Sequence, residues 1–137
     1  MNAAVFDASV LVKLAIEEPH SGEAARLYKD IEMAIAPDCA SIECTSALWK
    51  KRRYEGYDPA CISEAFRLLR SIDVAVFESA PLLENALEIA LSLDHPVYDC
   101  IYLALALQEG IPLVTADARL RDVAGVVGID VLWVGAL

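Results

Sequence analysis

Short apolar runs alternate with longer segments of helical periodicity along the whole chain. The runs that predict strands cover residues 3–6, 33–36, 74–77, 113–115 and 131–134. At least one predicted helix separates each run from the next, which requires parallel strands joined by right-handed crossovers. A parallel sheet is covered by helices on both faces. The pattern therefore predicts an α/β protein with a three-layer α/β/α architecture and a parallel sheet of about five strands.

Helix-capping residues and helix breakers define the segments between the strands. The predicted helices cover residues 8–16, 21–31, 38–55, 58–71, 79–93, 96–110 and 118–123. We expect Ser21, Asp38 and Asp58 to cap the helices that follow them, because their side-chain oxygens can accept bonds from free N–H groups in the first turn. Gly56 and Gly110 are expected to end the third and sixth helices.

Length and composition indicate one compact domain over residues 1–137, since 57% of the chain is hydrophobic. No apolar run reaches the ~18 residues that a membrane span needs. The N-terminus does not show a basic segment followed by an apolar stretch, which is the pattern of a signal peptide. We therefore expect a cytoplasmic protein without a membrane segment.

The four cysteines, at positions 39, 44, 61 and 100, include no CxxC pair. Neither His20 nor His95 lies at the spacing of a zinc finger, so a zinc site is not expected. We expect the thiols to be buried and to behave as small hydrophobes. A disulfide remains the alternative if the source is a hyperthermophile. Both histidines are next to a proline and are predicted to lie in loops.

The formal net charge of −10 argues against a general nucleic-acid-binding surface. Four of the eleven basic residues are nevertheless consecutive, at Lys50, Lys51, Arg52 and Arg53. They end the third predicted helix, where the helix dipole alone favours cations. Two interpretations stay open for them, a solvated helix end and a candidate contact to an RNA backbone.

Three aromatic residues lie close to this basic run in the sequence, at positions 49, 54 and 57. We expect Trp49, Tyr54 and Tyr57 to be core or interface residues, which is the more common role of aromatic side chains, rather than platforms for nucleic-acid bases.

Four acidic residues occur where an α/β fold would bring them together. Asp7 and Asp117 follow the first and fourth predicted strands, and the carboxyl ends of parallel strands form the usual site of such sheets. Glu43 lies inside a helix among small and apolar neighbours, and Asp99 begins an almost wholly apolar helix.

Each of the four has a structural alternative. Asp7 and Asp117 could cap the helices that follow them. Glu43 could pair with Lys50 on the same helix face, and the helix dipole would favour Asp99.

Four carboxylates in one pocket would repel one another by roughly 3 kcal/mol per pair at about 5 Å and an effective dielectric near 20. Such a cluster is stable only if some of the groups are protonated or if a divalent cation lies between them. Hard oxygen ligands suit Mg²⁺ or Mn²⁺. The four acids therefore indicate a metal-dependent phosphodiesterase.

The same residues resemble a known family in order and spacing. The matching features are residues 5–9 (Val-Phe-Asp-Ala-Ser), the mid-helix Glu43, residues 98–106 and residues 115–120. Together they are similar to the PIN domain, in particular to the VapC-type toxins of VapBC toxin–antitoxin pairs. The resemblance implies the strand order 3-2-1-4-5 and a Mg²⁺- or Mn²⁺-dependent endoribonuclease acting on RNA. It also implies a homodimer that is silenced by a cognate VapB-type antitoxin.

The resemblance assigns roles by position. Asp7, Asp99 and Asp117 would be metal ligands, and Glu43 would be a ligand or would orient a bound water. Ser9 and Thr115 match polar positions that support such a site. The position three residues after the glutamate is often Asn in these toxins, whereas this chain has Ser46, so a substrate contact at that position is not expected to carry over.

Other classes fit less well. A phosphoacceptor receiver domain needs paired acids after its first strand and a lysine after its last, and no lysine follows Lys51. A haloacid-dehalogenase phosphatase needs Asp-x-Asp, but here the third position is Ser9. Two alternatives within the PIN resemblance stay open. One is a catalytically silent PIN-like interaction module, and the other is a housekeeping nuclease without an antitoxin.

Overall fold

The computed structural model describes residues 2–135, which form a five-stranded parallel sheet flanked by helices. The strands are β1 (Ala3–Phe6), β2 (Met33–Pro37), β3 (Ala75–Phe77), β4 (Leu113–Thr115) and β5 (Val131–Trp133). Their order is β3-β2-β1-β4-β5, and every neighbouring pair is parallel. This confirms the α/β architecture and the strand order that the PIN resemblance implies. β1 is central, so its carboxyl end lies between those of β2 and β4.

The helices are α1 (Ala8–Ala15), α2 (Ser21–Asp30), α3 (Cys39–Glu55), α4 (Pro59–Ser71), α5 (Leu83–Leu93), α6 (Val97–Glu109) and α7 (Ala118–Val126). A short 3₁₀ turn, Ala80–Leu82, precedes α5, so the single helix predicted over residues 79–93 is in fact two elements. β2 extends one residue beyond the predicted run of 33–36 and includes Pro37, which is tolerated because it lies at the margin of the strand.

Some predicted caps form and others do not. Asp58 caps α4 by accepting a bond from the Ala60 N–H, and Gly56 and Gly110 end α3 and α6 in the left-handed conformation. Asp38 makes no capping bond. Its carboxylate instead accepts a bond from the Ser79 N–H at 3.2 Å, which connects the start of α3 to the segment before α5.

The start of α2 also differs from the prediction. Ser21 is the first helical residue, and His20 occupies the cap position in the left-handed conformation. The Ser21 hydroxyl donates to the Ile16 carbonyl and accepts from the Glu18 N–H, so it stabilises the turn that leaves α1. It does not cap its own helix.

Helix α6 is the centre of the core. Its residues 100–106 are all buried, and the helix contacts β1, β2 and β4. A helix that is buried on nearly all sides must be apolar all round, which explains its sequence. Because α6 begins beside the carboxyl end of the sheet, the polar residues in and before its first turn lie at the edge where sites form in parallel sheets.

The cysteines follow the prediction with one exception. All four are free thiols; Cys39, Cys44 and Cys100 are buried, whereas Cys61 is exposed on α4. Within residues 2–135, no helix combines the length and apolar character that crossing a bilayer requires.

Candidate active site

One cleft of about 430 Å³ is lined by all four of the predicted carboxylates. Asp7 follows β1, Glu43 lies on α3, Asp99 lies in the first turn of α6, and Asp117 follows β4. The two aspartates that follow strands meet because β1 and β4 are neighbours in the sheet. Four separate elements therefore contribute one acidic side chain each to the same depression.

Asp7 is the most buried of the four, with 4% of its surface exposed. The hydroxyls of Ser9 and Thr115 donate to its two carboxylate oxygens, each at 2.6 Å, and the Val10 N–H donates at 3.2 Å. Burial raises the pKa of Asp7 to about 7, although these three donors each lower it. Asp7 is therefore divided between its neutral and ionised forms near neutral pH.

Ser9 and Thr115 also connect the two strand ends. The Ser9 hydroxyl accepts a bond from the Ala116 N–H, and the Thr115 hydroxyl accepts one from the Asp117 N–H, both at 3.0 Å. Each hydroxyl therefore donates to Asp7 and accepts from the chain that follows β4. These paired bonds hold Asp7 in place relative to Asp117.

Asp7 and Asp117 are at the same time helix caps. Asp7 accepts from the Val10 N–H at the start of α1, and Asp117 accepts from the N–H groups of Arg119 and Leu120 at the start of α7. The structural and functional interpretations of these residues are thus compatible. The capping bonds are accepted by one oxygen of each carboxylate, Oδ1, and fix the orientation of the group. Both residues still line the cleft.

Glu43 is half-buried, and the Tyr102 hydroxyl donates to one of its oxygens at 3.1 Å. Burial is the main cause of its raised pKa; the Tyr102 and Cys39 donors lower the pKa, and the negative charge of Asp99 raises it further. Among residues 2–135 Glu43 forms no ion pair with Lys50, so that alternative is wrong. Sequence reasoning did not identify Tyr102, which lies inside the apolar run of α6 and on another element from Glu43.

Asp99 has a partner that the sequence prediction missed. His95 is buried, and its Nε2 lies 2.8 Å from Asp99 Oδ2. Burial raises the pKa of Asp99, the bond to His95 lowers it, and the negative charge of Asp117 raises it. The prediction that His95 is an ordinary loop residue is incomplete because of this contact. The i to i+4 spacing of His95 and Asp99 was the available signal.

The four consecutive basic residues separate into two groups. Lys50 and Lys51 line the cleft. Arg52 donates to the Tyr57 carbonyl at 3.1 Å, and Arg53 lies over the ring of Tyr54.

Lys51 has several partners in the cleft wall. Lys51 forms an ion pair with Glu18, and its Nζ also lies 3.4 Å from Glu55 Oε2. Glu18 is shared, because Lys13 Nζ lies 3.1 Å from Glu18 Oε1. These ion pairs neutralise Lys13 and Lys51, so the uncompensated positive charge at this edge of the cleft is that of the exposed Lys50.

The carboxylate oxygens of the cleft are of the type that Mg²⁺ and Mn²⁺ prefer. The raised pKa values of Asp7, Glu43 and Asp99 indicate that their ionised forms are disfavoured without a counter-charge. In the part of the chain that the structure describes, no three histidine, cysteine or acidic side chains converge closely enough to hold an ion. The donor set therefore fits a divalent cation in chemistry, while the side chains as they lie do not form a closed coordination sphere.

The fold and the cleft define a family. The chain belongs to the PIN domain family, whose model matches residues 4–126. It is 30% identical over 122 residues to Ribonuclease VapC3 of Pyrobaculum aerophilum, covering 86% of this chain and 92% of that protein.

Solved structures give the same picture of the fold. The crystal structure of PAE2754 from P. aerophilum is similar with a TM-score of 0.73 and 27% identity, over 96% of this chain and 83% of that one. Mycobacterium tuberculosis VapC20, described as a sarcin-ricin loop cleaving toxin, matches with a TM-score of 0.69 over 92% of this chain and 95% of that one. Its identity is 20%, so this likeness shows the fold alone.

Proposed function

We propose that this chain is a single PIN domain over residues 1–137 that hydrolyses RNA phosphodiester bonds as an endoribonuclease. The observation that carries the proposal is the convergence of Asp7, Glu43, Asp99 and Asp117, from four elements, on one cleft. The similarity to Ribonuclease VapC3 over most of both chains supports RNA as the substrate class. A catalytically silent PIN-like module is the alternative, but retention of all four acids favours an enzyme.

The proposed cofactor is Mg²⁺ or Mn²⁺, held by Asp7, Asp99 and Asp117, with Glu43 as a further ligand or as the group that orients the attacking water. When bound, such a cation lowers the pKa of water and neutralises charge on the phosphate. Ser9 and Thr115 hold Asp7, while Tyr102 and His95 hold Glu43 and Asp99. Fixed donors keep the carboxylates in position so that little reorganisation is needed during the reaction.

The basic edge of the cleft supports an anionic polymer as the substrate. Lys50 and Lys51 both line the cleft beside the acids; Lys50 is exposed and would contact a phosphate of the strand, whereas Lys51 is already paired with Glu18 and Glu55. A cluster of carboxylates alone would repel RNA, so the cation and Lys50 together make binding favourable. This arrangement explains how a chain with a net charge of −10 can act on a nucleic acid.

The test is cleavage of RNA by the purified protein with EDTA, with Mg²⁺ and with Mn²⁺. We expect cleavage with at least one of the cations, none with EDTA, and none for Asp117→Asn. Asp122→Asn is the matched control, because Asp122 is an exposed carboxylate on the same helix that pairs with Arg121. Cleavage that is unaffected by Asp117→Asn, or that persists in EDTA, would exclude the proposed site.

We further propose that the protein is the toxin of a type II toxin–antitoxin pair and acts in the cytoplasm, where RNA and a VapB-type antitoxin would both meet it. The similarity to a VapC protein supports this assignment. Co-expression with a small neighbouring gene product that forms a complex and abolishes cleavage would support it. Growth that is unaffected by expression of the active protein would favour the alternative of a housekeeping nuclease without an antitoxin.

A homodimer is part of the same proposal. Exposed leucines recur every fourth residue on α5, at Leu83, Leu87 and Leu91, and therefore form an apolar stripe along one face of the helix. A contiguous exposed apolar surface of this kind is typical of an interaction site. A symmetric contact between two copies would bury this stripe against its equivalent. Light scattering at micromolar concentration should give the mass of two chains; the mass of one chain would disprove the homodimer while leaving the nuclease proposal intact.

A further inference from the structure

Two exposed aromatic rings lie together at the carboxyl-terminal end of α3. Trp49 is 56% exposed and Tyr54 is 70% exposed, and their ring centroids are 6.2 Å apart in an edge-on arrangement. Tyr57, by contrast, is partly buried and its hydroxyl donates to the Glu17 carbonyl, so it is a structural residue. Of the expected core or interface roles, the core is therefore excluded for Trp49 and Tyr54, which lie on the surface of the chain.

Basic side chains accompany these rings. The Arg53 guanidinium lies 5.3 Å from the centroid of the Tyr54 ring. At 100° per residue, Trp49, Lys50, Arg53 and Tyr54 fall within an arc of about 140° on one side of α3. Lys50 also lines the acidic cleft, so the aromatic pair is continuous with the candidate active site through this lysine.

We propose that Trp49 and Tyr54, with Arg53 and Lys50, form a stacking platform for the bases of single-stranded RNA next to the cleft. The proposal rests on the proposed ribonuclease function and names the surface that holds the strand beyond the cleaved bond. Unpaired bases stack on aromatic faces with little dependence on sequence, and neighbouring cations contact the phosphates. Because Arg53 lies beside the Tyr54 ring, a base stacked on this pair of rings would have a cation next to its phosphate.

Charge favours RNA over a second copy of the chain as the occupant. Around a two-fold axis through this surface, Lys50 and Arg53 of one copy would approach the same residues of the other. Like charges brought together in this way oppose association. A polyanion instead gains from each of them, and this is a basic surface on a chain whose net charge is −10.

The test measures binding of a short unstructured oligouridylate by fluorescence polarisation, with the whole chain in EDTA so that cleavage does not interfere. Trp49→Ala should weaken binding about 5- to 150-fold, the range for loss of one base-stacking contact. Trp49→Phe should retain most of the affinity because it keeps an aromatic face. Val126→Ala is the control, since Val126 is a more exposed apolar residue, at 72%, and lies on α7, outside both the cleft and the α5 stripe.

The dependence of binding on salt separates stacking from charge. Trp49→Ala should leave the salt slope unchanged because it removes no cation, whereas Lys50→Gln should reduce the slope by about one phosphate contact. In a cleavage assay with Mn²⁺, Trp49→Ala should raise KM and leave kcat nearly unchanged. Equal affinity of wild type and Trp49→Ala would overturn the platform.

Three further outcomes are informative. If Trp49→Ala changes the molar mass measured by light scattering, the surface is a contact between copies and the platform is wrong. If the wild type binds oligouridylate through Trp49 but cleaves no RNA, the platform stands and the proposed nuclease function fails. If it cleaves RNA and Trp49→Ala binds and cleaves normally, the nuclease stands and the platform fails.

Discussion

His95 Nε2 lies 2.8 Å from Asp99 Oδ2; His95 immediately precedes the Pro96 cap of α6, and Asp99 lies in the first turn of that helix. His95 is buried, so the imidazole cannot move far. A buried donor bonded to one carboxylate oxygen fixes the direction of the other. Asp99 is therefore held in a defined orientation at the edge of the cleft, in the way that outer partners hold ligating groups in metal sites.

From this contact we predict that His95→Gln weakens Mn²⁺ binding about 10- to 100-fold, the usual effect of removing such a partner. Titration calorimetry on the folded variant measures the affinity directly, and a thermal melt records any loss of stability separately. His20→Gln is the matched control, because His20 Nδ1 lies 2.7 Å from Glu23 Oε2 on an exposed part of α2. Unchanged Mn²⁺ affinity of His95→Gln would limit this histidine to a structural role.

Asp99→Asn should raise the melting temperature of the metal-free protein at neutral pH. Burial and the charge of Asp117 both raise the pKa of Asp99, so its ionised form is disfavoured in the folded state. Each kcal/mol gained corresponds to roughly 3–5 °C in a chain of this size. The gain in stability is partly offset, because Asn has no charge and therefore accepts a weaker bond from His95 than the carboxylate does.

The same variant should gain less stability from Mg²⁺ or Mn²⁺ than the wild type and should not cleave RNA. A thermal-shift series with EDTA and with each cation, run beside a cleavage assay, tests both statements. If Asp99 served only the helix dipole, the variant would melt lower in EDTA and keep its metal-dependent activity.

The stability of the metal-free protein should fall as pH rises from about 4 to about 7, because of Asp7. Its folded-state pKa is about 7 against an ordinary value of 3.8, so the native state binds more protons than the unfolded state in this window. The contribution of Asp7 is fully present below the ordinary value and is lost as pH rises through the folded value, at up to about 4 kcal/mol in total. The raised pKa values of Glu43 and Asp99 act in the same direction.

Urea denaturation of wild type and Asp7→Asn in EDTA across this pH range isolates the Asp7 contribution. The amide does not titrate, so the variant should become more stable relative to the wild type as pH rises. A difference in the free energy of unfolding that stays constant across the range would show that Asp7 titrates normally in the folded protein.

Substitutions of Lys50 and Lys51 should differ in their effect on the free energy of unfolding. The Lys51 side chain is 12% exposed and pairs with Glu18 and Glu55, so Lys51→Gln should cost about 1–3 kcal/mol of stability by leaving charged partners unsatisfied. Lys50 is exposed, and Lys50→Gln should change stability by less than about 0.5 kcal/mol.

Neutralising all four residues from Lys50 to Arg53 should weaken RNA binding and flatten its salt dependence, with metal affinity nearly unchanged. Chemical denaturation and binding at several salt concentrations measure the two effects. Equal stability of the two single variants would mean that the Lys51 ion pairs contribute little, and an unchanged salt slope for the quadruple variant would leave these residues as a solvated helix end.

The sequence by itself determined the features that depend on near neighbours. The alternation of apolar runs predicts the parallel sheet, because the hydrophobic periodicity of each strand and helix is visible within its own segment of the sequence. The Asp58 cap and the glycine ends of α3 and α6 follow from single residues whose preferences are strong. Asp7 and Asp117 could be placed at one edge because parallel strands share their carboxyl end, while the strand order itself came from family resemblance.

Only the tertiary structure decided which groups each acid meets. The bond from Tyr102 to Glu43 joins residues 59 positions apart, and the bond from Ser79 to Asp38 joins residues 41 positions apart. No local pattern encodes such pairs, because they depend on which distant elements the fold brings together. The raised pKa of Asp7 has the same origin, because elements distant in the sequence bury its carboxylate. The effect of this burial outweighs that of the hydroxyl donors, which favour the ionised form.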